Sequence, residues 1–428
     1  MEYKTITPKG AIRGEIIPPG DKSISHRAII FSALADGKST IENFLESEDC
    51  LSTVEAFKAM GVSIEKKQKY LCIDGVGLNG LCRPKDDLFV GNSGTTMRLL
   101  SGILAAQSFD STLDGDESLR NRPMDRIVEP LRKMGAVISG NRDRHHAPLH
   151  IHGTQLKGIR FEEKRGSAQV KSCVLLAGLY ADKETIVHEI KPSRDHTERM
   201  LSLFNARFVK KGELSTIKKT ESLKSQRIHV PGDISSAAFF IVAALLLKGS
   251  ELKIINVGLN PSRIGVLKVL REMGAAITIT DIHGTHEPYG TITVKGSELH
   301  GIKINQAMIP AIIDELPIIM VAAACAKGET VIKGAEELRV KETDRLKSMC
   351  SGLKQLGSDV HETKDGAIIQ GGKRFKGNVT LDSCNDHRTA MSLAIAGLHA
   401  EQEIAISNPD SVSISYPDFF NTINNLTQ

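Results

Sequence analysis

The sequence predicts a mixed α/β protein of two lobes, each assembled from three copies of one structural unit. Three observations lead there. Six segments, 28–44, 96–113, 170–190, 237–255, 316–332 and 390–406, repeat one order: an apolar helical run, a small or polar turn, then a β-rich run. A second feature keeps the same time. Amphipathic helical patterns end at Met60-Gly61, Met134-Gly135, Asn205-Ala206, Met273-Gly274 and Leu356-Gly357, each followed by a β-branched run. Finally, Pro19-Gly20-Asp21-Lys22-Ser23 returns as Pro231-Gly232-Asp233-Ile234-Ser235.

Each element follows from these patterns. The turn residues Gly37, Ser108, Lys183, Gly249, Gly328 and Glu401 are spaced by 71, 75, 66, 79 and 73. That period is too long for a helical solenoid. Each unit reads as helix, strand, helix, strand and a further strand, and cannot bury both faces alone, so units must pack on one another. Glycine after the amphipathic helices suits a C-cap, where the backbone takes positive φ. The Pro-Gly echo lies 212 residues on, three units later, and Pro-Gly is chain-breaking punctuation. The expected lobes are therefore 21–231, and 1–20 together with 232–428. Residues 4–17 read as one strand before the first break. The sixth unit stops at a helix near 419–426, so the N-terminal strand is expected to complete the C-terminal lobe.

Composition narrows the function. The chain has 428 residues, 40% hydrophobic and 25% charged, which is ordinary for a globular protein and excludes a disordered chain, a collagen or a disulfide miniprotein. Aromatic residues are only 4%, with no Trp, against aromatic platforms for nucleic acid or sugar. The net charge of +4 is too balanced for a general nucleic-acid binder and leaves small anions open as ligands. Seven cysteines form no C-x-x-C pair, and Cys173 and Cys325 lie inside apolar runs, the pattern of buried reduced thiols. The start, Met1-Glu2-Tyr3-Lys4, carries no signal-peptide or transit pattern, and the longest apolar run, 237–247, is too short to span a bilayer. A cytoplasmic protein is expected, with no membrane and no nucleic-acid partner, acting as a monomer.

Candidate chemistry clusters where apolar helices begin. Asp21-Lys22-Ser23-Ile24-Ser25-His26-Arg27 follows Pro-Gly and enters the first helix. A helix start offers outward N–H groups and the positive end of the dipole to phosphate or carboxylate, and Lys22 and Arg27 add charge. The same residues also describe a capped helix with solvated charges. Gly91-Asn92-Ser93-Gly94-Thr95-Thr96-Met97-Arg98 is a glycine-rich turn before the second helix, but neither a Walker A loop nor G-x-G-x-x-G. Asp116-Glu117-Ser118-Leu119-Arg120-Asn121-Arg122-Pro123 offers two guanidinium groups on a loop fixed by proline, or plain surface charge. Gly166-Ser167-Ala168-Gln169-Val170-Lys171-Ser172 brings hydroxyl and amide groups that can read ligand hydroxyls or simply cap a helix. Ser193-Arg194-Asp195-His196-Thr197 adds an arginine or a charged helix start.

In the second half, Asp314-Glu315-Leu316-Pro317 and Asn385-Asp386-His387-Arg388 precede apolar helices. Arg339-Val340-Lys341-Glu342-Thr343-Asp344-Arg345 is dense in alternating charge, with Lys341 and Arg345 four apart and expected on one helix face. Singly, each is as well explained by structure. Together, polar or basic groups recur at helix entrances in every unit except the fourth, Pro-Gly-Asp-Ile-Ser. Pseudo-symmetric units would point these entrances to one side of each lobe, and two facing lobes would form a basic cleft for a substrate pair bearing phosphates and carboxylates. No H-E-x-x-H, Cys/His ligand spacing or G-x-S-x-G occurs, and His145, His146, His150 and His152 read as a loop and strand face.

The motifs P-G-D-K-S-I-S-H-R, G-N-S-G-T-T-M-R, R-P-M, S-A-Q-V-K-S, R-V-K-E-T-D-R-L and N-D-H-R-T-A-M, in order along nearly the whole chain, closely resemble the 5-enolpyruvylshikimate-3-phosphate synthase family. S-A-Q-V-K-S and S-R-D-H-T-E-R-M are similar to its class II sequences. The resemblance implies a two-lobed inverse αβ barrel of six βαβαββ-type units. It implies transfer of the enolpyruvyl group of phosphoenolpyruvate to the 5-hydroxyl of shikimate 3-phosphate, with release of phosphate and without metal or organic cofactor. It implies that the N-terminal lobe takes shikimate 3-phosphate and the C-terminal lobe phosphoenolpyruvate. By motif, Lys22, Ser23, Arg27, Ser167, Ala168 (through its backbone), Gln169, Arg194, Asp314 and Lys341 would bind shikimate 3-phosphate. Lys22, Asn92, Gly94, Thr95, Arg122, Gln169, Lys341, Arg345, His387 and Arg388 would surround or support phosphoenolpyruvate. Asp314 would take the 5-hydroxyl proton and Glu342, with Lys22, would handle the proton at the methylene carbon.

The sequence departs from class I in two places. No Lys precedes Tyr416-Pro417, and Leu99 follows Arg98 where class I has Pro. Gly94 is retained where strongly glyphosate-tolerant members carry Ala. Weakened but measurable inhibition by glyphosate is expected. The sister UDP-N-acetylglucosamine enolpyruvyl transferases typically have Lys-Asn where this chain has Lys22-Ser23, and a reactive Cys in the loop that 116–122 occupies here without one. A non-catalytic anion-binding protein would not need Lys22, Asp314, Glu342 and Arg345 all intact.

Overall fold

The structure, a computed structural model describing residues 2–426, opens with two strands, β1 (Tyr3–Ile6) and β2 (Arg13–Ile16), in place of the single strand suggested for 4–17. Pro8, with no N–H to donate, and Gly10 interrupt it. The first repeat runs α1 (Lys22–Ala33), β3 (Asp36–Glu42), α2 (Glu48–Ala59), β4 (Ser63–Lys66), β5 (Tyr70–Val76). The second runs β6 (Leu88–Phe89), α3 (Gly94–Leu104), β7 (Ser111–Asp114), α4 (Glu117–Arg120), α5 (Asp125–Lys133), β8 (Val137–Asn141), β9 (His146–His152). The third runs β10 (Arg160–Glu163), α6 (Ala168–Gly178), β11 (Thr185–Glu189), α7 (His196–Leu203), β12 (Phe208–Lys211), β13 (Leu214–Ile217), and β14 (Arg227–His229) follows it.

The fourth repeat is α8 (Ile234–Leu246), β15 (Glu251–Gly258), α9 (Gly265–Glu272), β16 (Ala276–His283), β17 (Tyr289–Lys295). The fifth is β18 (Lys303–Ile304), α10 (Ile309–Ile312), α11 (Leu316–Cys325), β19 (Glu329–Ile332), a 3₁₀ turn (Glu336–Val340), α12 (Arg345–Gln355), β20 (Asp359–Thr363), β21 (Gly366–Gln370). The sixth is β22 (Val379–Asp382), α13 (His387–Leu398), β23 (Ile404–Ser407), a 3₁₀ turn (Pro409–Ile414) and α14 (Phe419–Leu426).

Five of the six repeats build their sheets the same way. A strand lies parallel to the strand after the apolar helix, and the remaining two add antiparallel, as in β6-β7-β9-β8, β10-β11-β13-β12 and β18-β19-β21-β20. The first repeat takes its parallel strand from β14, far along the chain, and the fourth takes β2. In the sixth, β1 pairs antiparallel with β23 and no further strand follows among the described residues, so this sheet has three strands there. The N-terminal segment thus completes two sheets of the second half rather than one.

The chain divides into two compact units, Gly20–Val230 and the residues up to Pro19 with those from Pro231 on. Each has its own core. In each, the three apolar helices (α1, α3, α6, or α8, α11, α13) are buried almost all round, while strands alternate buried and exposed residues. A helix apolar on every side belongs inside, and a strand of period two covers it with one face. Helices within and sheets outside make the inverse αβ barrel, and the two-lobed plan of six units is the one expected.

The amphipathic helices end in the left-handed region at Gly61, Gly135, Gly274 and Gly357, with φ of 91°, 92°, 100° and 87°. In the third repeat the equivalent residue is Asn205 (φ 60°), not Ala206, because asparagine tolerates this region and alanine does not.

A Cβ at Gly135 would meet nothing closer than 3.9 Å, so Gly135→Ala isolates the backbone term. It is expected to cost about 1 kcal/mol, with Asn205→Gly neutral or stabilising. Urea midpoints at unchanged m-value check this.

Candidate active site

In the unit Gly20–Val230, three helices begin alike. Asp21, Ser93 and Ser167 stand at the N-caps of α1, α3 and α6, and each side chain accepts from the amide three residues on: Ile24 (2.9 Å), Thr96 (3.2 Å) and Val170 (3.4 Å). The first-turn residues are Lys22 and Ser23, Gly94 and Thr95, Ala168 and Gln169, all at the positive ends of helix dipoles. Lys22 forms an ion pair with Asp49 of α2. Arg27 is buried, and its bonds include Nε to Thr197 Oγ1 (2.6 Å), Nη1 to the Ser23 carbonyl (2.9 Å) and Nη2 to Ser172 Oγ (2.8 Å). It ties α1 to α6 and α7.

The glycine-rich turn meets the arginine loop directly. Arg122 Nη2 donates to Asn92 Oδ1 (2.5 Å) and to Ser118 Oγ (3.2 Å), and Asn92 Nδ2 donates to Asp116 Oδ2 (2.8 Å). Gln169 Nε2 donates to Thr95 Oγ1 (2.9 Å), and Arg98 Nη1 donates to Gln169 Oε1 (2.7 Å). A Cβ on Gly94 would lie 2.7 Å from Arg98 Nη1 and 3.4 Å from Arg122 Nη1, so glycine lets both guanidinium groups close over the helix start. Under these contacts runs a buried chain in which His26 Nδ1 pairs with Thr53 Oγ1 (2.7 Å), Thr53 with Thr96 (2.7 Å) and Thr96 with Ser93 (2.6 Å).

Arg194 lies half-buried between β11 and α7. Lys171 is wholly buried and donates to Glu189 and Glu198 at 2.6 Å each, while Lys210 reaches the same carboxylates at 3.2 and 3.0 Å. Despite burial, Lys171 holds Glu189 below the usual carboxylate range. Breaking a buried pair of this kind costs about 3–5 kcal/mol, so the quartet fixes α6 against α7, and with it Ser172, Thr197 and the Arg194 loop.

In the other unit, Arg345 gathers the candidates. It is 1% exposed, and its Nε donates to Asp386 Oδ2 (2.8 Å), Nη2 to Glu342 Oε2 (2.6 Å) and Nη1 to Asp314 Oδ1 (3.5 Å). Burial opposes the charge, but Asp386, Glu342 and Asp314 raise the guanidinium's pKa above its ordinary value. Asp386 Oδ1 caps α13, accepting from the amides of Arg388 and Thr389 at 2.9 Å. Arg388 Nη1 donates to the Asp314 carbonyl (2.9 Å), and His387 is buried at the first position of α13. Burial lowers the Lys341 pKa, with Asp314 pulling the other way.

Lys341 and Arg345 do not share a helix face. Lys341 is extended backbone after a 3₁₀ turn, and α12 starts only at Arg345. Asp344 caps it by accepting from the Lys347 amide (3.0 Å), which stops the helix running back to Lys341. The fourth unit does carry a basic group at its helix entrance. It comes from the following loop: Arg263 Nη2 donates to Asp233 Oδ1 (3.1 Å), the cap of α8.

Of the residues singled out in the sequence, the structure brings together Asn92 with Arg122, Thr95 with Gln169, and Asp314 and Glu342 with Arg345. Sequence reasoning assigns no individual role to Arg98, Asp386 and Glu315, which lie inside its candidate clusters, and it misses Asp49 and Arg263. Arg98 had a signal, one turn beyond Gly94 in an apolar helix. Cys173 is buried as expected, but Cys325 is partly exposed. His146 and His152 use their rings on the Arg120 carbonyl and Asp110. Among the described residues, no three His, Cys, Asp or Glu are placed to hold a metal, and no helix is long and apolar enough to cross a membrane.

The family model for EPSP synthase (3-phosphoshikimate 1-carboxyvinyltransferase) matches residues 6–423. The 3-phosphoshikimate 1-carboxyvinyltransferase of Bacillus licheniformis is 48% identical over 419 residues, 98% of each chain. That of Pelobacter propionicus is 50% identical over 424 residues, 99% of this chain and 98% of the relative. The solved EPSP synthase of Acinetobacter baumannii superposes with a TM-score of 0.90 at 45% identity, covering 100% of this chain and 98% of that one.

Burial, helped by Lys22 and Arg27, holds the His26 pKa well below its ordinary 6.5. Below that value the unfolded chain takes up a proton that the folded chain refuses, so stability is full above it and falls as pH drops. Relative to His26→Gln, the wild type is expected to lose stability between about pH 7 and pH 5, measured by urea unfolding at each pH.

Proposed function

The chain belongs to the EPSP synthase family, the 3-phosphoshikimate 1-carboxyvinyltransferases, and we propose that it transfers the enolpyruvyl group of phosphoenolpyruvate to the 5-hydroxyl of shikimate 3-phosphate, releasing phosphate. The observation that carries the residue assignment is Arg345 bonded at once to Asp314 and Glu342. One buried guanidinium fixes two carboxylates.

Lys22, Ser23, Arg27, Ser167, the Ala168 backbone, Gln169 and Arg194 bind shikimate 3-phosphate, whose phosphate suits a helix start flanked by cations. Asp314 and Lys341 complete that set. Phosphoenolpyruvate is taken by Lys22, Asn92, Gly94, Thr95, Arg122 and Gln169, and by Lys341, Arg345, His387 and Arg388. Arginine suits both its phosphate and its carboxylate.

The reaction divides into two steps. Glu342, with Lys22, delivers a proton to the methylene carbon, and C2 gains cationic character that the carboxylates offset. The 5-hydroxyl oxygen attacks C2 as Asp314 takes its proton, giving a tetrahedral intermediate. Loss of a proton from the new methyl group and of phosphate from C2 then restores the double bond. All atoms are supplied by the two substrates. The protein works in the cytoplasm as a monomer, with small molecules as its partners.

Phosphate release from phosphoenolpyruvate should require shikimate 3-phosphate and be absent with UDP-N-acetylglucosamine; the reverse would overturn the substrate assignment. Asp314→Ala and Glu342→Ala should each lower kcat by at least about 100-fold with shikimate 3-phosphate binding kept, and near-wild-type turnover would refute their roles. Glyphosate should inhibit measurably but less than it does a sensitive class I enzyme. Gly94→Ala, which displaces Arg98 and presses on Arg122, should raise both tolerance and KM for phosphoenolpyruvate.

A further inference from the structure

Asp314 is half of a dipeptide whose other half does different work. Glu315 occupies the N-cap position of α11, yet its side chain makes no capping bond. It is 1% exposed. Its Oε1 instead accepts from Ser235 Oγ, on the first turn of α8, eighty residues away. Ser235 Oγ in turn accepts from Arg263 Nη2 (2.7 Å), which also donates to Asp233 Oδ1 (3.1 Å) and stands 4.0 Å from Glu315 Oε1. Asp233, Ser235 and Arg263 are each at most 5% exposed. None of the four has a place in the binding or proton-transfer steps above.

The dipeptide is therefore held from two sides. Asp314 is gripped by Arg345 through its carboxylate and by Arg388 through its carbonyl. Glu315 is gripped by the Ser235–Arg263 pair. Asp314 and Glu315 are joined by one rigid peptide plane just before α11, so anchoring one restricts the bearing of the other. Burying this polar cluster is costly, and an apolar residue of similar volume would serve plain packing as well or better. A carboxylate tied to another repeat's helix start serves orientation instead.

We propose that Glu315 is a positioning residue: through Ser235 and Arg263 it locks the α11 entrance onto the α8 entrance and so aims Asp314 at the reacting hydroxyl. This rests on the reading of Asp314 as the group that takes that proton. Misplacing a reacting group by about 1 Å can cost up to about 100-fold in rate.

The test is a kinetic cycle on the full-length enzyme with both substrates. Glu315→Ala is expected to lower kcat by at least about tenfold, with both KM values within about twofold. Ser235→Ala, which keeps the carboxylate but cuts its anchor, should act alike and covers the case in which Glu315→Ala folds poorly. Glu315→Gln retains an acceptor for Ser235 and should keep kcat within about threefold of wild type. Added to Asp314→Ala, Glu315→Ala should cost nothing more, because residues acting as one unit are not additive. Unchanged kcat in Glu315→Ala and Ser235→Ala, with Asp314→Ala inactive, would overturn this inference alone. A further full loss in the double variant, or parallel changes in both KM values, would mean a merely structural role and overturn it too. Near-wild-type turnover of Asp314→Ala would bring down the proton role and this inference together.

Discussion

A guanidinium with 1% exposure cannot shed its charge, so the protein around Arg345 must supply carboxylates. It supplies three from three places: Glu342 just before α12, Asp314 before α11, and Asp386 at the cap of α13. The geometry of two helix entrances thus follows from one buried cation. Asp386 does double duty, with one oxygen on Arg345 and the other on two backbone amides, so the ion pair and the helix cap cannot move independently. The candidate acid and base are oriented by the same contact that holds the helices together.

The other unit solves the problem with shared contacts rather than a hub. Arg27 bonds two hydroxyls and a carbonyl. Its orientation depends on where α6 and α7 put Ser172 and Thr197, and those are set by the buried Lys171 quartet. Arg122 depends on Asn92, and Arg98 on Gln169.

Repetition explains why the chemistry collects at helix entrances. A unit whose central helix is apolar on all sides has few places for polar side chains near the axis, and the first turn is the main one. Capping residues are required there anyway, and the dipole adds positive potential. Closure of each unit by strands distant in sequence, β14 in one and β1 and β2 in the other, ties the ends of that unit's chain into its own sheets.

The sequence alone determined the period, the six apolar helices, the capped entrances and the residue types gathered there, because these are local: a helix start needs an acceptor, a left-handed C-cap needs glycine or asparagine, and a buried helix shows no polar face. Even Asn205 was visible, though placed one residue late. Only the tertiary structure decided who pairs with whom. Lys22 with Asp49, Arg345 with Asp386, Glu315 with Ser235 and the Lys171 quartet join residues separated by tens of positions, and one-dimensional spacing carries no record of which repeats pack against which. Nor could spacing place Lys341, where four residues on to Arg345 suggested a shared face. The Asp344 cap, a choice between two local hydrogen-bond patterns settled by packing, took it off the helix.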